Sequence, residues 1–377
     1  MSIHILHLHS TFALGGKEAR AVQLMNAFGD RARHTIVSAM PDQLGAREAI
    51  DKHIKYEIAL DPPPLTGRPS VKRYEAIARF MRRFDLVLTY NWGAIDGVMA
   101  ARVFGKSLPP IIHHEDGFNA DEAEKLSTVR NMYRRMALPA ANALVVPSEK
   151  LEQVAIKFWK QPAERLVRID NGVSVARYAG PLDPSLLPML AKRREGEVFI
   201  ACLAGLRPVK DLPMLVRAVA GMSARFKLVI LGEGPERQAI LDQAESMAVE
   251  EQVFLPGFLP DPQRYLGLFD IFALSSRSEQ APVSVLEAMA AGLPIVAPEV
   301  GDIAAMVSEP NRRYLSADRT EVSLRDRLDA LAKHPDERRY VGGANRVRAA
   351  ALYDEAAMVA AYARLYAQAM GRPGALG

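Results

Sequence analysis

Short apolar runs rich in β-branched residues alternate with helix-patterned stretches along almost the whole chain, and this alternation narrows the fold more than any other feature. Strands buried on both faces read as continuous apolar runs, and helical segments between them imply parallel sheets covered by helices. In the first half the strand runs fall at residues 3–8, 34–39, 55–60, 85–90, 110–113, 143–146 and 166–169; in the second they fall at 198–204, 226–231, 253–256, 270–275 and 294–298. Between the two series, Asn171-Gly172-Val173 and Pro181-Leu182-Asp183-Pro184-Ser185 carry turn residues and little periodicity, and read as a linker. The expectation is an α/β chain of two doubly wound, Rossmann-like domains. The first covers 1–175, with a helix at about 354–371 packing back on it; the second covers 196–353.

A chain of 377 residues is long enough for two such domains, each with its own core. With 49% apolar and 24% charged residues the composition is that of a globular protein, and no apolar run reaches the roughly 18 residues a membrane-spanning helix needs. Met1-Ser2-Ile3-His4-Ile5-Leu6 has no basic start and runs into a strand pattern, so a cytoplasmic location is expected. Cys202 stands alone in an apolar run and reads as a core side chain. Residues 1–170 hold 24 Lys and Arg against 19 Asp and Glu, whereas the remainder holds 24 against 25, so the basic excess belongs to the first half. Arg79, Arg82, Arg83, Arg130, Arg134 and Arg135 fall on helical stretches. They form either ordinary solvated faces or a basic face for an anionic membrane, as a peripheral contact, or for a phosphorylated acceptor.

The chemistry concentrates in residues 270–294. A buried strand pattern ends in Ser276-Arg277-Ser278-Glu279; Pro282 is suited to open a helix, and Gly292 to stop it. Glu279 therefore sits on a loop, free to accept from sugar hydroxyls, and Glu287 sits on the helix, able to accept from a ribose. Gln280, Ala281, Pro282 and Val283 lead into the helix between them, and its free first-turn N–H groups suit a diphosphate. Either glutamate alone would read as an ordinary surface residue beside a capped helix.

Taken together, Glu279 and Glu287, eight positions apart in Glu279-Gln280-Ala281-Pro282 through Glu287-Ala288-Met289, resemble the Glu-seven-Glu motif of family 4 (group 1) retaining glycosyltransferases of the GT-B fold. That resemblance implies two domains facing across a cleft, a donor-sugar contact for Glu279 and a ribose contact for Glu287. It also makes Arg207 and Lys210, in Gly205-Leu206-Arg207-Pro208-Val209-Lys210, the cations for the leaving diphosphate, although Arg207 comes one residue later and Lys210 one earlier than the family spacing. Where the family usually has Gly-Phe-Gly after the first Glu, this chain has Gln280-Ala281-Pro282.

Weaker signals follow the same resemblance. Gly232 and Gly234 permit close backbone approach near a nucleotide, Gly257-Phe258 resembles the segment facing the base, and Gly15-Gly16 resembles the family's Gly-Gly loop opening a helix. Each is also readable as a plain turn. His113, His114 and Asp116 end a strand where family members place a functional histidine, and which of the three matches stays open. No Asp-x-Asp pair and no zinc-spaced His/Cys cluster occurs, so a metal-independent reaction without cofactor is expected.

The expected activity is retaining transfer of a sugar from a UDP- or GDP-sugar to a hydroxyl acceptor, a glycan or lipid-linked glycan of surface polysaccharide assembly. Nucleic acid is not among the expected partners. A sugar-nucleotide epimerase or phosphorylase, or an inactive GT-B binding protein, are the alternatives.

Overall fold

A computed structural model describes all residues except Met1, Leu14, 119–121 and 123–124. The chain divides into two compact units. One comprises residues 1–117, 126–171 and 356–377, and the other 118–125 and 172–355.

The first unit is built on seven parallel strands: β1 (Ile3–His9), β2 (Ala32–Ser38), β3 (Tyr56–Ile58), β4 (Leu86–Tyr90), β5 (Ile111–His114), β6 (Ala143–Val146) and β7 (Leu166–Arg168), ordered β3-β2-β1-β4-β5-β6-β7. Ile5 sits opposite His34 on one side and Leu86 on the other, so β1 is central and buried. One wall of this core comes from the far end of the chain. The helix Glu355–Ala369 inserts Met358, Tyr362, Ala363 and Tyr366 against Ile5, Leu88, Tyr90 and Ile112. Burying a large side chain of this kind contributes roughly 1.5–3 kcal/mol.

The second unit carries β8 (Val198–Leu203), β9 (Phe226–Leu231), β10 (Val253–Gly257), β11 (Ile271–Ala273), β12 (Ile295–Pro298) and β13 (Leu315–Ser316), also all parallel, in the order β10-β9-β8-β11-β12-β13. Cys202 is fully buried in this core. Strand β13 escapes a pattern reading because two residues, Leu315 and Ser316, pair with Ala297 and Pro298, too few for any periodicity to register.

The stretch that reads as a linker is built into the second unit. Val173, Leu187 and Leu190 are buried in its core, and the Val173 N–H donates to Tyr353 O at 2.8 Å. The missing periodicity has a structural cause, since Val175–Ala179, Pro184–Leu186 and Pro188–Leu190 are short 3₁₀ turns.

Candidate functional site

In an open parallel sheet, ligands bind at the carboxyl ends of the strands where the strand order reverses. In the second unit that point lies between β8 and β11, whose Ile200 and Ile271 are partners. The loops leaving these two strands carry Lys210 and Glu279. They meet there: Lys210 Nζ lies 2.5 Å from Glu279 Oε1, with both side chains largely buried. The Ser276 hydroxyl donates to the same oxygen at 2.6 Å, so Oε1 is held twice. Oε2 accepts from none of the described residues and is available to a ligand hydroxyl.

The two loops are also zipped through the backbone. The Ser275 hydroxyl donates to Lys210 O at 2.9 Å, the Arg277 N–H to Val209 O at 2.9 Å, and the Arg277 side chain to Asp211 at 2.9 Å. Lys210 is thus fixed from both sides. Arg207 is exposed, and its Nε lies 3.5 Å from where a Cβ on Gly205 would stand, so its guanidinium folds back over that glycine.

Past Glu279, the N–H of Asp302 donates to Gln280 O at 2.8 Å. Pro282 is the cap residue of the helix Val283–Ala290, one position before the helix rather than its first residue, and no side chain caps this start. Gly292 at φ +78° ends the segment in the left-handed region, as its position implied.

Gly232 and Gly234 have a steric reason to be glycine. At φ +149° and +156°, a Cβ would stand 2.0 Å from Ala204 O and 2.4 Å from Leu206 O, so the β9 turn lies directly on the loop that carries Arg207 and Lys210. Gly232→Ala is therefore expected to cost about 2–3 kcal/mol of second-unit stability. An unchanged denaturation midpoint would show that the turn yields freely. The Gly232 N–H donates to the carbonyl of Gly257, itself at φ +93°, at 3.0 Å, and the next residue, Phe258, is 52% exposed.

Glu287 faces a different environment. Its carboxylate is half-buried, no described residue donates to it, and burial pushes it up to about 7. Tyr178 and Tyr265 border it: burial first, and then the Glu287 charge, raise both phenols.

In the first unit the order reverses between β1 and β4. The helix Gly16–Phe28 opens there on Gly15, but its start is not free. Glu18, in its first turn, folds back until Oε2 lies 2.9 Å from where a Gly15 Cβ would be, with Lys17 paired to the other oxygen. A buried carboxylate therefore lies against Gly15 at this helix start, while the space beside Gly16 is open. Burial raises the Glu18 carboxyl in spite of Lys17.

His113 and His114 are both buried. His113 lies between the Thr89 hydroxyl (2.7 Å) and Glu115 (3.2 Å), and His114 between Thr89 O (3.2 Å) and the Tyr366 hydroxyl (2.8 Å). Asp116 is the member of this trio nearest solvent, held by Arg20 at 2.9 Å.

Two family models match this chain: "Glycosyl transferases group 1" over residues 191–348 and "Glycosyltransferase Family 4" over 14–177. The chain belongs to the family 4 (group 1) glycosyltransferases. Among curated relatives, it is 26% identical over 174 residues to N-acetyl-alpha-D-glucosaminyl L-malate synthase of Bacillus anthracis, covering 46% of each chain. It is also 26% identical over 227 residues to an Escherichia coli UDP-Gal:alpha-D-GlcNAc-diphosphoundecaprenol alpha-1,3-galactosyltransferase, covering 57% of each. The chain thus spans about half the length of these relatives. Its structure superposes on Anabaena HepE in complex with UDP-glucose with a TM-score of 0.80 at 18% identity, over 97% of this chain and 100% of that one. WaaG, a glycosyltransferase involved in lipopolysaccharide biosynthesis, gives 0.72 at 16% identity, over 97% and 99%. The fold is therefore GT-B.

In this family 4 member the structure adds groups that sequence reasoning passed over. Ser276 holds Glu279, Tyr178 and Tyr265 border Glu287, and Arg20 holds Asp116. Ser276 was within reach, three residues before Glu279 on a loop. Tyr178 and Arg20 were not, since they lie about 100 residues from the groups they attend. Among the described residues no group of His, Cys, Asp or Glu is arranged to hold a metal ion, and no helix is long and apolar enough to cross a membrane.

Proposed function

We propose that the protein transfers a sugar from a UDP- or GDP-sugar to a hydroxyl of a glycan or lipid-linked glycan, with retention at the anomeric carbon and without a metal. The observation that carries this reading is the Lys210–Glu279 pair at the switch point of the second sheet, with Glu279 Oε2 left to accept. Lys210 and Arg207 neutralise charge as the diphosphate departs, supported by the uncapped helix start at Val283. Glu279 orients the donor sugar and Glu287 the ribose, while Gly205, Gly232, Gly234 and Gly257 keep the backbone close to the nucleotide. The departing phosphate assists removal of the acceptor proton on the same face. Gly15 and Gly16 receive a phosphate only once Glu18 has swung aside. His113 and His114, held inside the sheet, act by positioning the loop at Asp116.

Support for the donor class comes from HepE, solved with UDP-glucose, and for the acceptor class from the undecaprenol-linked substrate named for the Escherichia coli relative. Thermal shift against UDP, GDP and their sugars tests the donor. A native-state ligand at 100 times its Kd adds about 2.7 kcal/mol. NMR of the product's anomeric centre tests the stereochemistry, and an inverted anomer would overturn the retaining assignment.

The Glu287 carboxyl supplies a pH prediction. Its ionised form accepts two hydroxyl hydrogen bonds where the protonated form accepts less well, and its midpoint lies at about 7. Nucleotide affinity should therefore fall as the pH drops below 7, by at most about tenfold per unit, and level off above it. Titration calorimetry from pH 5.5 to 8.5 reads this directly, and Glu287→Gln should flatten the profile. A profile identical in both proteins would remove Glu287 from the ribose site.

A further inference from the structure

At the switch point of the first sheet, between β1 and β4, the segment leaving β4 is held in a costly shape. Asn91 stands at φ +55° and ψ −174°, a region otherwise kept to glycine because a Cβ is crowded there. Two hydrogen bonds keep it so: its N–H donates to His114 O at 2.7 Å, and its Oδ1 accepts from the Asp116 N–H at 2.6 Å. Gly93 is wedged against the end of β1, where a Cβ would stand 2.2 Å from that of Ser10. The residue set between these two clamps is Trp92. Backbone strain of this kind gathers where a side chain is held ready for a ligand.

The chain has two tryptophans, and it uses them differently. Trp159 is fully buried and donates its indole N–H to Asn131 at 2.9 Å. Trp92 is partly exposed, and its indole N–H donates to none of the described residues. Its ring is nevertheless braced. Tyr133 meets it edge-on at 5.4 Å, and the guanidinium groups of Arg130 and Arg134 lie 5.3 and 5.2 Å from its centroid. Positions 130, 133 and 134 share one face of the helix Thr128–Ala137, so a single helix face fixes the indole. Arg130 and Arg134, which the sequence offered for a basic face, are thus turned to this ring.

The charges beside the loop are paired within the unit. Arg134 meets Glu115 at 3.3 Å, Arg20 meets Asp116 at 2.9 Å, and Arg73 meets Asp96 at 2.7 Å. An anionic ligand would have to displace these carboxylates, whereas an uncharged one would not. We propose that Trp92 is a stacking platform for a neutral pyranose ring of the acceptor, with a sugar hydroxyl accepting from the indole N–H and another from Asn91 Nδ2. The carbon-bound hydrogens of a pyranose carry slight positive charge and suit the negative face of an aromatic ring. Asn91 Nδ2 donates to none of the described residues either. Calling this sugar the acceptor rests on the transfer reading; the platform itself does not.

Titration of the full chain with methyl glucoside, methyl galactoside and methyl N-acetylglucosaminide tests the proposal, with sorbitol and inorganic phosphate as controls. Because Trp159 is shielded from solvent, changes in tryptophan emission report on Trp92. At least one pyranoside should shift the emission and hinder acrylamide quenching, while sorbitol and phosphate should do neither. In ligand-observed NMR, affinity for that pyranoside should fall at least about tenfold in Trp92→Leu, and about threefold in Trp92→Phe, which keeps a ring and loses the N–H. UDP binding and the denaturation midpoint of each variant check the fold. Equal losses in Trp92→Leu and Trp92→Phe would reveal a side chain that merely fills space, and would overturn the platform. So would a wild-type chain that responds to no pyranoside, or to phosphate in their place. A chain that binds a pyranoside through Trp92 but neither UDP nor GDP would instead sink the transfer reading and leave the platform standing.

Discussion

Lys210→Ala should lower the rate of sugar transfer about 10²- to 10³-fold, the loss that follows removal of a single preorganised group facing developing charge. Lys210 is held by the zipped loops, and its ammonium spends one hydrogen bond on Glu279, leaving two donors for a departing diphosphate. Glu279→Gln should also be strongly impaired, because the amide keeps the shape but loses the ion pair. Since the two side chains touch, the double variant should lose much less than the product of the single losses. The measurement is kcat with a saturating donor, alongside a denaturation curve for each variant. A merely structural salt bridge would shift the midpoint and leave the kcat of the folded fraction unchanged, and that outcome would remove Lys210 and Glu279 from the chemistry.

Much of this site was legible because local rules and the tertiary fold agree. Apolar runs marked the strands, the ends of β8 and β11 placed Lys210 and Glu279 on loops, and the structure brings those two side chains into contact. What remained illegible depended on distant partners. Pattern alone shows that the segment Thr128–Ala137 has two faces, but not that Arg134 turns inward, because Glu115 and Trp159 make that choice from about 20 residues away on either side. That the Glu18 carboxylate lies against Gly15 depends on a side-chain rotamer, which no sequence pattern specifies. β13 was too short to see, and 171–173 and 181–185 read as a linker because the 3₁₀ turns of this stretch have no long period.

The first unit should be the acid-labile half of the molecule. Seven of the eight histidines lie in its sequence, and four form a buried polar core. His7 meets His34 at 3.0 Å and Tyr90 at 3.2 Å, His114 meets Tyr366, and both ring nitrogens of His9 are buried without a hydrogen-bond partner. Burial pushes His34 down to about 4, with His4 adding to it, and His114 down to about 3, with Arg20 adding; His7 and His9 are lowered as well. Their folded values lie below the unfolded value near 6.5, so as pH falls through 6.5 the unfolded chain gains protons that the fold refuses, and stability drops until the folded values are reached. For His34 and His114 this amounts to about 2 kcal/mol each between pH 7.5 and 5. Asp116 acts lower in the scale. Burial would raise its carboxyl, but the Arg20 guanidinium outweighs this and holds it below its usual range, so its contribution is present above pH 4 and lost beneath it. Arg20→Ala should itself cost about 3–5 kcal/mol, since it leaves the Asp116 charge with no partner in a largely buried site. Thermal unfolding at pH 7.5, 6 and 5, with hydrogen exchange to locate the opening, should show the first unit losing protection several kcal/mol ahead of the second. His114→Gln, which retains a polar group beside Tyr366, should remove about 2 kcal/mol of that pH dependence. Equal loss of protection in both units, or a midpoint unmoved between pH 7.5 and 5, would mean that these imidazoles accept protons within the fold, reached by water through openings that cost little.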